Sequence, residues 1–117
     1  MTEAASAAQR SLPLFRRRLE QETGLEAVYG VRIVEDGTTV WLESVQFRGD
    51  DVSGLVDAPT DARRVRTVAQ TAIVDWVIVD HDGIHGGYTL RLERERLTPD
   101  EQRIFDSELG AVFLPLP

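Results

Sequence analysis

The chain has 117 residues, 42% of them hydrophobic, which is one domain's length with enough apolar material for one compact core. Its 20 acidic and 13 basic residues give a formal net charge of −7, so unaided binding to a nucleic-acid backbone is disfavoured. The absence of cysteine excludes disulfide stapling, thiol catalysis and thiolate metal sites.

The start of the chain carries an acid at Glu3 and no apolar core before Arg10, and apolar runs elsewhere span only a few residues. A signal peptide and a membrane span are therefore not expected, and the cytoplasm is the expected compartment. All 13 basic residues are arginine, and lysine and asparagine are missing, the bias that GC-rich coding produces. A single domain over residues 1–117 is expected, with no internal repeat and no low-complexity linker.

The first element is helical. Ala5, Ala8, Leu12, Phe15 and Leu19 recur at spacings of three and four. Because Pro13 is best tolerated in a first turn, the firm helix is expected over about 11–21, with Ser11 as its N-cap and a frayed segment before it. The Arg16-Arg17-Arg18 run reads as a solvated face near the helix C-terminus, and Gly24 ends the segment.

From Glu26 to Arg94 the texture changes to short runs of valine, isoleucine, threonine and aromatics separated by glycine and aspartate, the pattern of strands. Ala27 to Glu35 turns at Asp36-Gly37 into Thr38 to Phe47, an antiparallel hairpin. Gly49-Asp50-Asp51 leads into Val52 to Val56. Asp57 to Asp61 reads as a loop, and Arg63 to Thr67 stays open between strand and loop.

Thr71 to Val79 and Ile84 to Glu93 form the strongest predicted hairpin. With a loop of two or four residues, paired residue numbers sum to an odd value. One face then carries Ile73, Asp75, Val77, Val79, Ile84, Gly86, Tyr88, Leu90 and Leu92. The other carries Val74, Trp76, Ile78, His85, Gly87, Thr89, Arg91 and Glu93, and is either partly wet or covered by a helix. Finally, Thr98-Pro99-Asp100-Glu101 combines an N-cap, proline at N1 and a capping-box glutamate. It predicts a helix over about 99–109, stopped by Gly110, before an apolar tail over 111–117 that lies on the body. The expected fold is α+β: a bent antiparallel sheet or partly open small barrel of five to six strands, flanked by N-terminal and C-terminal helices.

Trp41-Leu42, Gly54, Pro59, Ile73-Val74-Asp75-Trp76, Gly86-Gly87-Tyr88-Thr89-Leu90-Arg91 and Arg96-Leu97-Thr98-Pro99-Asp100-Glu101 carry a family likeness. In these segments, between about Val40 and Phe105, the chain resembles the bacterial domain of unknown function 2314. The Ile-x-Asp-Trp segment followed by Gly-Gly-Tyr-Thr is the most specific part. The chain departs from the pattern at Val65 to Thr67, where a Gly-Asp turn is expected before the strand. The resemblance implies a small, mostly cytoplasmic bacterial domain, sometimes attached to other modules, and brings no agreed activity or catalytic residues.

Candidate chemistry is sparse. His81 and His85, with Asp80 and Asp82, are the only cluster of metal-ligand types, but Asp-x-Asp-Gly is ordinary turn chemistry. In an extended strand the two histidines stand about 13 Å apart, too far for one ion. Neither a cofactor nor a metal is therefore expected. Asp75, on an apolar face, must pair or shift its pKa, so it is either a general base or, more in keeping with its surroundings, a hydrogen-bond acceptor fixing the hairpin. Tyr88 is its nearer expected partner and Arg91 the more distant one. Gly86-Gly87 lacks the following lysine and the helix of a phosphate loop, so it is assigned a steric role, Gly87 leaving room for the Trp76 indole. Trp41 and Trp76 anchor the core or form a binding platform, and Trp76 with Thr89 and Arg91 makes a mixed face suited to recognition.

Two functional classes compete. One is a noncatalytic protein-binding or regulatory module whose acidic loops steer a basic protein partner, with a toxin-neutralising, immunity-like role as its specific form. The candidate binding residues are Trp76, Thr89, Arg91, Asp75, Tyr88 and Trp41. The other is a small-molecule-binding barrel with Trp41 and Trp76 lining its pocket, or a small metal-dependent enzyme using Asp75, Tyr88 and the His81 to His85 loop.

Overall fold

The computed structural model describes residues 2–22, 27–56 and 64–117. The chain runs from helix α1 (Glu3–Gln21) through strands β1 (Val28–Glu35), β2 (Thr38–Arg48), β3 (Asp51–Val56) and β4 (Val65–Ala69). A single 3₁₀ turn, Gln70–Ala72, precedes β5 (Ile73–Asp80) and β6 (Gly83–Gly86), and helices α2 (Tyr88–Glu95) and α3 (Pro99–Leu109) follow. The six strands form one antiparallel sheet in the order β4-β3-β2-β1-β5-β6, and the sheet does not close. The α+β expectation holds, as a bent, open antiparallel sheet with helices from both ends of the chain. The predicted Asp57 to Asp61 loop lies outside the described residues.

The sheet bends strongly around α1. Strands β4 and β1 are three apart in order, about 14 Å on a flat sheet, yet Arg66 Nε lies 2.8 Å from Glu35 Oε2 across the concave face. The bend coincides with a register shift between Glu43 and Gln46, where Ser44 takes φ 51°. Inside it, Phe15 of α1 contacts the rings of Tyr29, Phe47 and Trp76 at centroid distances of 5.8, 6.1 and 5.7 Å. Such ring pairs each add about 0.5–1.5 kcal/mol beyond area burial. Val31, Ile33, Leu42, Val52, Ile73 and Ile78 complete this core with Ala8 and Leu12.

Helix α1 begins eight residues before the predicted Ser11. Thr2 is the N-cap, accepting the Ala5 amide at 3.1 Å, and Pro13 sits inside the helix. Proline withholds one donor, but the alanine-rich first turns have the highest helix propensity, and Ala5 and Ala8 are buried. Ser11 is a mid-helix residue whose hydroxyl donates to Ala7 O at 2.9 Å and accepts the Trp76 indole N–H at 3.0 Å.

The hairpin of β5 and β6 has the expected odd parity, with Asp80 opposite Gly83 and His81-Asp82 as a two-residue loop. Its second strand stops at Gly86, not Glu93, because Gly86 and Gly87 both take the left-handed conformation (φ 76° and 69°) and turn the chain into α2. Tyr88 to Glu93 are therefore helical, and the strand alternation expected of them does not exist. A shift in the β1–β5 pairing, where Ile33 opposes Ile73 and Arg32 opposes Asp75, further separates the two β5 residues. Ile73 joins Trp76 and Ile78 under α1, while Asp75 faces the other side.

Of the segment left open from Arg63 to Thr67, residue 63 lies outside the described residues, and Val65 onward is the edge strand β4. Helix α3 has the expected capping box between Thr98 and Glu101 and ends at Gly110. The tail lies on the body as expected: Ile84 N–H donates to Val112 O at 2.8 Å and Leu114 N–H to Ile84 O at 3.0 Å, flanking a parallel bridge between Ile84 and Phe113.

Candidate functional site: the Asp75 cap and the groove beside Arg32

Asp75 is fully buried, the one charged residue among the described residues to be so. Its Oδ1 accepts the amides of Trp76 (2.8 Å) and Tyr88 (2.9 Å), and its Oδ2 accepts the Thr89 amide (2.9 Å) and the Thr89 hydroxyl (2.5 Å). The residue before α2 is Gly87, which has no side chain to cap the helix. A carboxylate from the neighbouring strand supplies the cap instead, meeting orphan amides where negative charge is favoured. Burial raises the Asp75 carboxyl above its ordinary value, opposed by the Thr89 hydroxyl and the three amides.

This geometry separates the expected site residues. Asp75, Tyr88 and Thr89 do meet, but Tyr88 reaches the carboxylate through its amide while its ring stands edge-on to Trp76 at 6.0 Å. Trp76 is 2% exposed under α1, so it is core and not platform; the helix-covered alternative for its face is the one realised. Arg91 makes no hydrogen bond or ion pair with Asp75 and feels only its charge. It donates to Gly86 O at 2.8 Å and stacks on the Phe113 ring at 4.8 Å, holding the tail. Trp41 lies opposite Arg32 on the other face of the sheet from Trp76, so the two tryptophans cannot line one pocket. The glycine that makes room for the indole is Gly86, where a Cβ would stand 2.6 Å from Trp76 Cε3.

Arg32 escaped sequence reasoning. Its Nη1 donates to Thr89 Oγ1 at 2.9 Å and to Glu93 Oε1 at 2.7 Å, and its guanidinium lies 5.4 Å from the Trp41 ring centroid. Its Nε is buried without an acceptor, a condition that costs about 1–3 kcal/mol. The sequence signal was a lone cation on the polar side of β1, but its neighbour Asp75 lies more than 40 residues on, paired by a long-range register. Beside Arg32 runs a groove of about 450 Å³, walled by the start of α1, Val34, the bulged Val74 and the outer turn of α2.

The His81 loop has turn geometry. Asp80 Oδ1 accepts the amides of Asp82 and Gly83 at 2.9 and 3.3 Å, while Oδ2 lies 2.9 Å from His85 Nε2 and 3.4 Å from Arg18 Nη2. Partial desolvation raises the Asp80 carboxyl, but the His85 hydrogen bond, the Asp82 amide, the His85 charge and Arg18 together bring it down to about 2. Donor atoms of Asp80, His81 and Asp82 lie within 4.8 Å of one another, and His85 does not belong to that group. The pair His81 and His85 is thus not assembled as a ligand set, and Asp80 is held by other partners.

A bent, open six-stranded sheet with one helix in its concave face, and a buried carboxylate used as a helix cap, defines a small α+β domain of the open-sheet class. The chain belongs to the family described as an uncharacterized protein conserved in bacteria, DUF2314, whose model matches residues 1–113. No curated protein and no solved structure matches it. Among the described residues no helix is long and apolar enough to cross a membrane.

Proposed function

We propose that the domain is a noncatalytic binding module that acts by contact with another protein. The observation carrying this reading is the use of Asp75: the one fully buried carboxylate among the described residues has both oxygens occupied by backbone amides and the Thr89 hydroxyl. A general base needs a free oxygen within reach of a substrate proton, and this one is committed to a helix terminus.

The sheet face turned away from α1 supports the contact reading. Val34 and Val65 are 55% and 61% exposed on this face, and Asp50 and Asp51 stand exposed at the β2–β3 turn. Separate exposed valines on this face and an acidic β2–β3 turn fit a partner that brings apolar contacts and a basic patch, whose approach the acidic turn would steer. Neutralisation of a basic toxin is the specific form of this role. Photo-crosslinking residues placed at 34 and 65 in the native host test it: one recurrent protein adduct from both positions supports the module, and adducts absent from both contradict it.

A further inference from the structure

We infer that the groove beside Arg32 is a binding site for a small amphiphilic carboxylate, an acid with an aliphatic or aromatic body. The inference does not rest on the protein-contact reading, although Val34 borders both surfaces. The groove holds about 450 Å³, within the ~300–1,000 Å³ of small-molecule sites. Ala4 and Ala5 of α1, Val34, Val74 and Leu92 supply apolar walls from four separate elements.

The polar end is set by Arg32. Its side chain is only 12% exposed, and one nitrogen, Nη1, serves both Thr89 and Glu93 while Nε–H remains buried without an acceptor. A buried charged donor without a partner calls for an explanation. A guanidinium is a planar fork suited to two carboxylate oxygens, and here only one tine is in use. Glu93, the present partner, is 45% exposed, so its carboxylate can turn to solvent and yield the fork to an incoming acid. Arg96 lines the same groove; its backbone N–H donates to Glu93 O at 3.2 Å, while its guanidinium has no hydrogen bond or ion pair among the described residues. Arg32 and Arg96 against Glu93 leave one positive charge beside an apolar wall, while the Asp75 charge is engaged by the α2 amides. That balance matches a monoanion, not a cation or a polyphosphate.

Amide chemical shifts of the full chain, followed by NMR during titration with sodium octanoate or octylammonium chloride at constant ionic strength, test the site. Octanoate should give saturable shifts at Ala4, Ala5, Val34, Val74 and Leu92, and octylammonium should give none there. Arg32→Gln should weaken octanoate by about tenfold or more, as loss of a charged hydrogen-bond pair does, and Arg96→Gln by about threefold, as for an exposed charge. Leu92→Trp, which fills the groove and keeps Arg32, should abolish binding. Leu92→Trp and Arg96→Gln decide the matter if Arg32→Gln does not fold. Equal response to octylammonium, shifts scattered over the surface, or unchanged octanoate affinity in Leu92→Trp would overturn the site.

Discussion

Thr89 donates twice to one oxygen of Asp75, from its amide at 2.9 Å and its hydroxyl at 2.5 Å, so a β5 carboxylate anchors the first turn of α2. Removing that carboxylate takes the acceptor from four donors, the buried amides of Trp76 and Tyr88 and the part-buried amide and hydroxyl of Thr89. Asp75→Ala should lower unfolding free energy by at least about 1–3 kcal/mol, whereas Asp51→Ala, at an exposed turn, should stay within about 0.5 kcal/mol of wild type. Urea midpoints of the two variants check this, and equal midpoints would remove Asp75 from its capping role.

Gly37 and Gly86 share φ 76° but differ in surroundings: a Cβ on Gly37 meets nothing within 4 Å, while one on Gly86 stands 2.4 Å from Trp76 O. Gly37→Ala should cost about 1–2 kcal/mol for the left-handed backbone alone. Gly86→Ala should cost roughly 1–3 kcal/mol more, because the indole and the β5 backbone must shift. Thermal or urea unfolding of the pair isolates the packing contribution.

These two residues also show what the sequence could reveal. Local signals were legible: the Asp36-Gly37 hairpin, the odd parity of the β5–β6 pairing and the Thr98–Glu101 capping box all depend on neighbours in the chain. The two consecutive left-handed glycines at 86 and 87 read in sequence as a steric allowance for the Trp76 indole within a strand, a reading that leaves out α2 and with it the reason Asp75 is buried. Pro13 suggested a helix start, although the alanine-rich turns before it and their burial outweigh one lost hydrogen bond. Arg32 and Asp75 are brought opposite each other only by the β1–β5 register, which no local pattern encodes.

Asp80 should make the hairpin acid-sensitive. Its carboxyl is held near 2 against an ordinary 3.8. A depressed carboxylate contributes stability that is fully present above the ordinary value and is lost as pH falls through the folded one. The thermal midpoint of wild type should therefore drop faster than that of Asp80→Asn between about pH 4 and pH 2. Parallel curves would show that the His85 and Arg18 contacts do not hold the carboxylate in solution.

Helix α3 has no buried residue and is tied to α2 by Arg94, whose Nε and Nη2 meet the two oxygens of Asp106 at 2.7 and 2.8 Å. Both side chains are over a third exposed, so Asp106→Asn should leave the global unfolding midpoint nearly unchanged. Hydrogen exchange should nevertheless quicken across 100–109 while β1 and β5 stay protected. Uniform acceleration of all elements would mean that α3 is integral to the core.

The acidic surface offers the most direct test of action by contact. Asp50 and Asp51 are exposed, as is Asp82 beside His81, whereas Asp80 is engaged by His85, Arg18 and the turn amides, so the first three are the loop carboxylates chosen to test steering. The measurement is the association rate between the chain and the protein it crosslinks to, for wild type and for the Asp50→Asn, Asp51→Asn, Asp82→Asn variant, across salt concentration. The variant should associate more slowly at low salt and converge with wild type as screening shortens the reach of charge to about 10 Å at 0.1 M. Identical rates at every salt concentration, or a small-molecule turnover by the purified chain that disappears in Asp75→Asn, would contradict action by contact.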